Sequence, residues 1–248
     1  MASLDPVQEK VAWTARQFKV LRADIRRYLR NKPARIVGER EPNANRLISG
    51  IEPYVPIPLS IPFRIGDCLQ NVRSSLDYLV RGLVLAANNV PTEEHQFPIC
   101  SSHGAFKGEL RRHRLDGVPP DAVTEIERLQ PYHKTKGGLL KLINDFANIN
   151  KHRRMLLTLL NVVAAETEFT CAHGREVQAI VPTRNHATQV GIGPPMHVAK
   201  KVPVRSEAVL ALVFDEGAVK GLEVSKCLGL LINEVGNEII PKFERFFV

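Results

Sequence analysis

The sequence predicts an α+β fold, in which a bundle of long helices packs with an antiparallel sheet and a closing C-terminal helix. Apolar residues recur at helical spacing in several stretches before residue 155, and again after residue 222. Residues 155–215, between them, are rich in Leu, Val and Thr and are divided by turn residues, which is typical of four or five strands. Helices first, strands second and one helix last is the order of an α+β protein.

Four long helices account for most of the predicted bundle, and they are expected at about 5–31, 62–88, 138–152 and 222–245. The first begins at Asp5 with a proline beside it and ends before Pro33, which cannot continue a helix. The second has the strongest apolar periodicity, so we expect it to be central. Shorter helices are expected around 106–112 and after Pro119.

We expect one domain over residues 1–248, with a helical part over about 1–154 and the sheet plus closing helix over about 155–248. A chain of 248 residues is long enough to bury a substantial core. It shows no internal repeat, low-complexity stretch or flexible linker. Hydrophobic residues make up 44% and charged residues 24%, which are ordinary values for a globular protein and argue against a disordered chain.

Several functional classes find no support in the sequence. The four cysteines, at 68, 100, 171 and 227, form no CxxC or Cys/His cluster, so we expect reduced thiols, no metal site and no cofactor. There is no HExxH spacing, no serine elbow and no glycine loop leading into a helix, which are the marks of metalloproteases, serine hydrolases and nucleotide-binding proteins. No apolar stretch predicts a membrane span or a signal peptide, so we expect a cytoplasmic protein.

The net charge of +8 is concentrated in one segment of the chain. Residues 10–46 contain eleven Lys or Arg and three Asp or Glu, whereas the rest of the chain contains 23 of each sign. On the first helix the cations that lie away from the apolar stripe are Arg16, Lys19, Arg26, Arg27 and Arg30. Such a surface predicts binding to a polyanion, with RNA favoured over DNA. The alternative is a solvated helix face in a basic protein.

Trp13 and Val20 lie on neither face of this first helix. They indicate a second contact, such as a dimer partner, or else a partly covered tryptophan in a monomer.

A second polar cluster lies on the central helix, where Arg73 and Asp77 border the apolar stripe. They form either an i,i+4 ion pair at a packing boundary or a guanidinium that is fixed by a carboxylate and presented to phosphate or to a carboxylate of a partner. On the third long helix Asn150 falls on the apolar side, and His152 follows it near the helix end. We expect the two helices to pack and to bring all four residues towards one pocket or one dimer seam, because a buried amide must find hydrogen-bond partners.

The run Asn71-Val-Arg-Ser-Ser-Leu-Asp-Tyr78, together with residues 129–132 and 150–153, resembles a family of uncharacterised bacterial proteins. That pattern is in turn similar to the helical HEPN superfamily. Ribonuclease members of the superfamily carry an Arg and, after four to six residues, a His, which meet across a dimer to cleave RNA. Arg73 matches the Arg, and Tyr78 stands where the His would be. The resemblance implies a HEPN-like helical core and a homodimer.

Three functional hypotheses follow. The first is an RNA-binding, HEPN-like homodimer that uses the basic first helix, with no catalytic activity implied. The second is a divergent, metal-independent endoribonuclease with Arg73, Asp77, Asn150 and His152 as catalytic residues, His152 replacing the missing His. The third is a protein interaction module whose basic face meets an acidic partner.

Overall fold

The computed structural model describes the backbone of residues 3–41, 46–133, 138–152, 158–170, 176–182, 189–191, 205–215 and 219–247. Side chains are described for residues 3–34, 54–133, 138–146, 210–215 and 219–247.

Six α-helices lie in the described part of the chain. They are α1 (Asp5–Arg30), α2 (Ser60–Ala86), α3 (His103–Arg111), α4 (Pro120–Arg128), α5 (Gly138–His152) and α6 (Val224–Asn233). A π-helical turn (Glu234–Ile239) and a 3-10 segment (Ile240–Phe246) continue α6 to Phe246. The helices expected from the apolar periodicity are all present.

The strands described by the backbone are β1 (Ala34–Glu41), β2 (Arg46–Pro53), β3 (Thr158–Thr170), β4 (Glu176–Pro182), β5 (Gln189–Gly191) and β6 (Arg205–Phe214). Their pairing runs in the orders β1-β2-β5 and β4-β3-β6, as two separate antiparallel ladders.

The predicted α+β class, with helices packed around an antiparallel sheet, is wrong. Among the residues whose side chains are described, 67% are helical and one short strand segment, 210–214, lies among them. The buried core is accordingly built by helices, and Leu212 and Phe214 are the strand residues that join it. The prediction failed because a Leu, Val and Thr-rich stretch favours extended backbone locally, while carrying no information about which surface that backbone covers.

Helices α1 and α2 lie side by side and run antiparallel. Lys10 near the start of α1 contacts Tyr78 in the second half of α2, whereas Asp24 near the end of α1 pairs with Arg64 in the first turns of α2. The apolar stripe of α1 is buried or partly buried along its length, and so is that of α2. This pair of helices forms one side of the core, and α6 packs against both of them.

The end of α2 shows how the sequence sets a helix boundary. The C-cap is Ala87, and Asn88 after it has a positive φ of 58°. Its neighbour Asn89 donates its backbone N–H to the Val84 carbonyl, which closes the last turn. Asparagine tolerates this left-handed conformation better than most residues, so the Asn-Asn pair ends the helix where the sequence predicts.

Five phenylalanines from different parts of the chain have fully buried side chains at the centre of the core: Phe97, Phe106, Phe146, Phe214 and Phe243. The rings of Phe146 on α5 and Phe214 on β6 lie 4.8 Å apart between centroids. The core therefore holds α5 against the one strand segment that it includes.

We predict that Phe146→Ala lowers the free energy of unfolding by about 3–5 kcal/mol, because it removes a buried ring and leaves a cavity. Leu230→Ala on α6, where the side chain is 57% exposed, is the control and is expected to cost less than about 1 kcal/mol. Urea unfolding followed by circular dichroism measures both. Equal small losses would show that α5 does not share the common core.

Candidate functional site

Arg73 and Asp77 on α2 bind the backbone of one residue, Phe97. The Arg73 guanidinium donates to the Phe97 carbonyl at 2.7 Å, and the Asp77 carboxylate accepts the Phe97 N–H at 2.9 Å. The two side chains also form an ion pair at 2.8 Å. Their i,i+4 spacing puts them on one edge of the helix, as the sequence predicts. One helix edge thus satisfies both polar backbone groups of a residue whose side chain is in the core.

Gln130, just after α4, binds the same segment. Its amide oxygen accepts the Cys100 N–H at 2.8 Å, and its amide nitrogen donates to the Pro98 and Ile126 carbonyls at 2.9 Å. The side chain is fully buried, and these bonds satisfy it. We call Arg73, Asp77 and Gln130 together the Phe97 clamp.

His95 fixes the start of the clamped segment. Its Nδ1 accepts the Thr92 N–H at 2.7 Å, so the ring proton is on Nε2, which donates to the Asp116 carbonyl at 2.8 Å. The ring is buried. Both ring nitrogens are therefore engaged with backbone, and His95 acts in the fold as a structural residue.

A polar cleft of about 290 Å³ lies beside the Phe97 clamp, between α2, α3 and α5. Arg73, Glu109 of α3 and Asn144 of α5 contribute polar side chains to its lining. Helices α2 and α5 do pack together. Asn144, which the sequence pattern did not single out, lines the cleft beside Arg73.

Two of the predicted site residues, Asn150 and His152, have side chains outside the described residues. Both belong to the last turns of α5. Asn150 lies about 9 Å further along the helix axis than Asn144, at 1.5 Å per residue. The proposed meeting of Arg73 and Asp77 with Asn150 and His152 stays a prediction.

The two charged side chains that line the cleft, Arg73 and Glu109, each form ion pairs with side chains outside its lining. Glu109 forms ion pairs with Arg112 at 2.7 Å and with Arg114 at 3.5 Å, while the Arg73 side chain, 14% exposed, is held by Asp77 and Phe97. These contacts hold the guanidinium against the core. The contacts favour the ion pair at a packing boundary over the phosphate-binding alternative.

The cations predicted to form a basic surface are all exposed on α1: Arg16, Lys19, Arg26, Arg27 and Arg30. Arg16 pairs with Glu9, and Arg27 lies 3.4 Å from Asp24. Among the described side chains, no carboxylate pairs with Lys19, Arg26 or Arg30. We call these five residues the basic face.

Two exposed aromatic residues each lie beside a cation of α1. Trp13 on α1 is 48% exposed, and the Arg16 guanidinium lies 5.5 Å from its ring centre. Tyr78 on α2 is 46% exposed, and the Lys10 ammonium lies 5.9 Å from its ring centre. The sequence pattern singled out Trp13 as a contact residue. It could not predict the pairing of Lys10 with Tyr78, because that contact depends on the antiparallel packing of α1 and α2.

The described cysteines are free and buried. Burial raises the pKa of Cys68, Cys100 and Cys227 to about 11, with nearby carboxylates adding to the shift at Cys68 and Cys100. These thiols are therefore protonated at neutral pH and poor nucleophiles. Burial and the hydrogen bond to Glu127 likewise raise the pKa of Tyr132.

Within the described part of the chain, no group of three or more His, Cys, Asp or Glu residues is arranged to hold a metal ion. Nor does any helix there have the length and apolar character that crossing a membrane requires. Comparison of the sequence with protein-family models gives no match, and searches among curated proteins and solved structures give none either.

We predict that Arg73→Ala lowers the free energy of unfolding by about 2–4 kcal/mol, because the Phe97 carbonyl loses its donor and Asp77 loses its cation. RNA binding by the folded variant is expected to be unchanged. Thermal melts and filter binding below the melting temperature measure the two effects.

Arg81→Ala is the matched control, since Arg81 lies on the same helix and donates to the Thr92 carbonyl from an exposed position. It is expected to cost less than about 1 kcal/mol. Normal stability of the Arg73 variant combined with lost RNA binding would contradict the structural role.

We also predict that the buried thiols resist alkylation. Raising a thiol pKa from 9 to about 11 lowers the thiolate fraction at pH 8 about a hundredfold. In a Cys171→Ser background, Ellman's reagent at pH 8 should react at least about a hundred times more slowly with native protein than in urea. Rapid labelling of native protein would contradict the burial.

Proposed function

We propose that this protein binds RNA through the basic face of α1. The observation that carries the proposal is the exposure of all five cations on one helix, three of which have no carboxylate partner among the described side chains. Neutralising phosphates with such cations releases condensed counterions, which drives binding and makes it depend on salt. Unpaired cations contribute most, because they give up no existing ion pair.

The length of the basic face fits a polymeric ligand. Arg16 and Arg30 are fourteen residues apart, which corresponds to about 21 Å along a helix. A row of that length can contact several phosphates of one strand at once. A small anion would need only a local cluster of two or three cations.

The resemblance of the α2 segment to HEPN proteins supports RNA over DNA, and it supports a homodimer as the functional state. We place this activity in the cytoplasm, in keeping with the free cysteines at 68, 100 and 227. Catalysis by Arg73 is not part of the proposal, because its guanidinium is engaged with Asp77 and Phe97.

We predict that the charge-reversal variant Arg26→Glu/Arg27→Glu/Arg30→Glu abolishes RNA binding and leaves the far-UV circular dichroism unchanged. The three side chains are exposed, so their replacement removes no core contact. Fluorescence anisotropy with a labelled 20-nucleotide RNA, titrated at several salt concentrations, measures the affinity. For the unmodified protein, log Kd should depend on log salt with a slope of about 0.7 per neutralised phosphate.

The matched control is Lys107→Glu/Lys242→Glu/Arg245→Glu, which changes the net charge equally at exposed positions away from α1. This variant should bind RNA much more tightly than the α1 variant does. Equal losses of RNA affinity in the two variants would show that only the net charge matters. Tight RNA binding by the α1 variant would contradict the proposal. Binding to an acidic polypeptide but not to RNA would favour the protein interaction module.

A further inference from the structure

We infer that the RNA taken by the basic face is single-stranded, and that unpaired bases stack on Trp13 and Tyr78. This inference rests on the proposed function and names its substrate class. The two aromatic residues, with Lys10 and Arg16 beside them, are called the stacking platform below.

The stacking platform combines the two features that single-strand binding requires. Trp13 and Tyr78 each leave close to half of their surface exposed, and each has a cation near its ring. Sequence-tolerant stacking on aromatic side chains, assisted by cations that follow the backbone, is how proteins bind single strands. Isolated exposed aromatics are ordinary on protein surfaces. Two that are both paired with cations, next to a row of further cations, are a more specific arrangement.

The two rings belong to one continuous surface. Lys10 connects them, because it lies one helical turn before Trp13 on α1 and contacts Tyr78 on α2. Arg16 connects Trp13 to the rest of the basic face in the same way, one turn further along. A strand whose phosphates follow the basic face therefore passes the stacking platform with its bases within reach of both rings.

A duplex cannot use these rings. Bases inside a double helix are covered on both faces by their neighbours, so proteins recognise double-stranded RNA through its shape, phosphates and 2′-hydroxyls. The exposed aromatic surface would contribute nothing to that binding mode.

Charge argues against a second copy of this chain as the occupant of the platform. In a two-fold dimer the same patch meets itself, so the platform would bring two copies of Lys10 and Arg16 together. Like charges facing one another across an interface destabilise it. A polyanion neutralises these cations, and its bases offer flat surfaces to the rings.

The test compares the unmodified protein with Trp13→Ala and Tyr78→Ala, using a 12-nucleotide single-stranded RNA and a 12-base-pair duplex. Each substitution should weaken binding of the single strand roughly tenfold and leave duplex binding and the salt dependence unchanged. Trp13→Phe and Tyr78→Phe should retain most of the affinity, since they keep a flat ring. Phe63→Ala, an exposed aromatic residue at the other end of α2, is the control and should bind both RNAs normally.

Trp13 is the one tryptophan of the chain, so tryptophan fluorescence reports directly on its contacts. Its fluorescence should be quenched by the single strand and not by the duplex. Light scattering of the same variants measures whether a second copy of the chain occupies the stacking platform instead of RNA. A dimer that dissociates on Trp13→Ala would overturn the inference.

The failures of the two proposals are distinguishable. If the α1 charge-reversal variant loses RNA binding while both alanine variants bind the single strand normally, RNA binding by the basic face stands and the stacking inference is overturned. Duplex binding as sensitive to Trp13→Ala as single-strand binding would also overturn it. If the unmodified protein binds neither RNA, both proposals fail.

Discussion

The Phe97 clamp is the constraint on which the arrangement of the helical body depends. A segment without regular secondary structure passes through the core, and its buried backbone groups cost free energy unless they find partners. Arg73 and Asp77 supply partners from α2, and Gln130 supplies them from the end of α4. Because the clamp residues come from distant parts of the sequence, satisfying one short segment also fixes the position of α4 relative to α2. The cleft between α2, α3 and α5 lies beside this junction.

The Phe97 clamp uses one edge of α2, and the outward sides of α1 and α2 remain exposed. On α2 the clamp residues border the apolar stripe, whereas Asp67 and Tyr78 face outward. On α1 the buried positions follow one stripe from Val7 to Tyr28, and the basic face lies away from it. The charge of the basic face is therefore independent of the contacts that hold the core. Because of this separation, a surface cation can be replaced without unfolding the protein. A core residue can likewise be replaced without changing the charge of the basic face.

Helical periodicity was sufficient to locate the helices and the exposed side of α1. It also placed Arg73 and Asp77 at a half-buried edge, where they are. It could not identify Phe97 as their partner, because these contacts join residues 20 and 24 positions apart and leave no periodic trace. The same limit applies to Asn144 in the cleft and to Lys10 beside Tyr78. The prediction of the fold class was wrong for a related reason, since a local preference for strand carries no information about which elements build the common core.

In the HEPN pattern that the α2 segment resembles, the Arg and the His act together. The corresponding positions here are Arg73 and Tyr78, so their relative orientation decides whether they could share one site. Residues five apart on an α-helix point about 140° away from each other. Here the guanidinium lies inward against Phe97, and the phenol lies outward beside Lys10. For Arg73 to serve a surface site together with Tyr78, it would have to release the Phe97 carbonyl and leave Asp77 without its cation. Each of those losses carries a free-energy cost. The geometry thus separates the two halves of the pattern, giving one residue to the core and the other to the surface that we propose binds RNA.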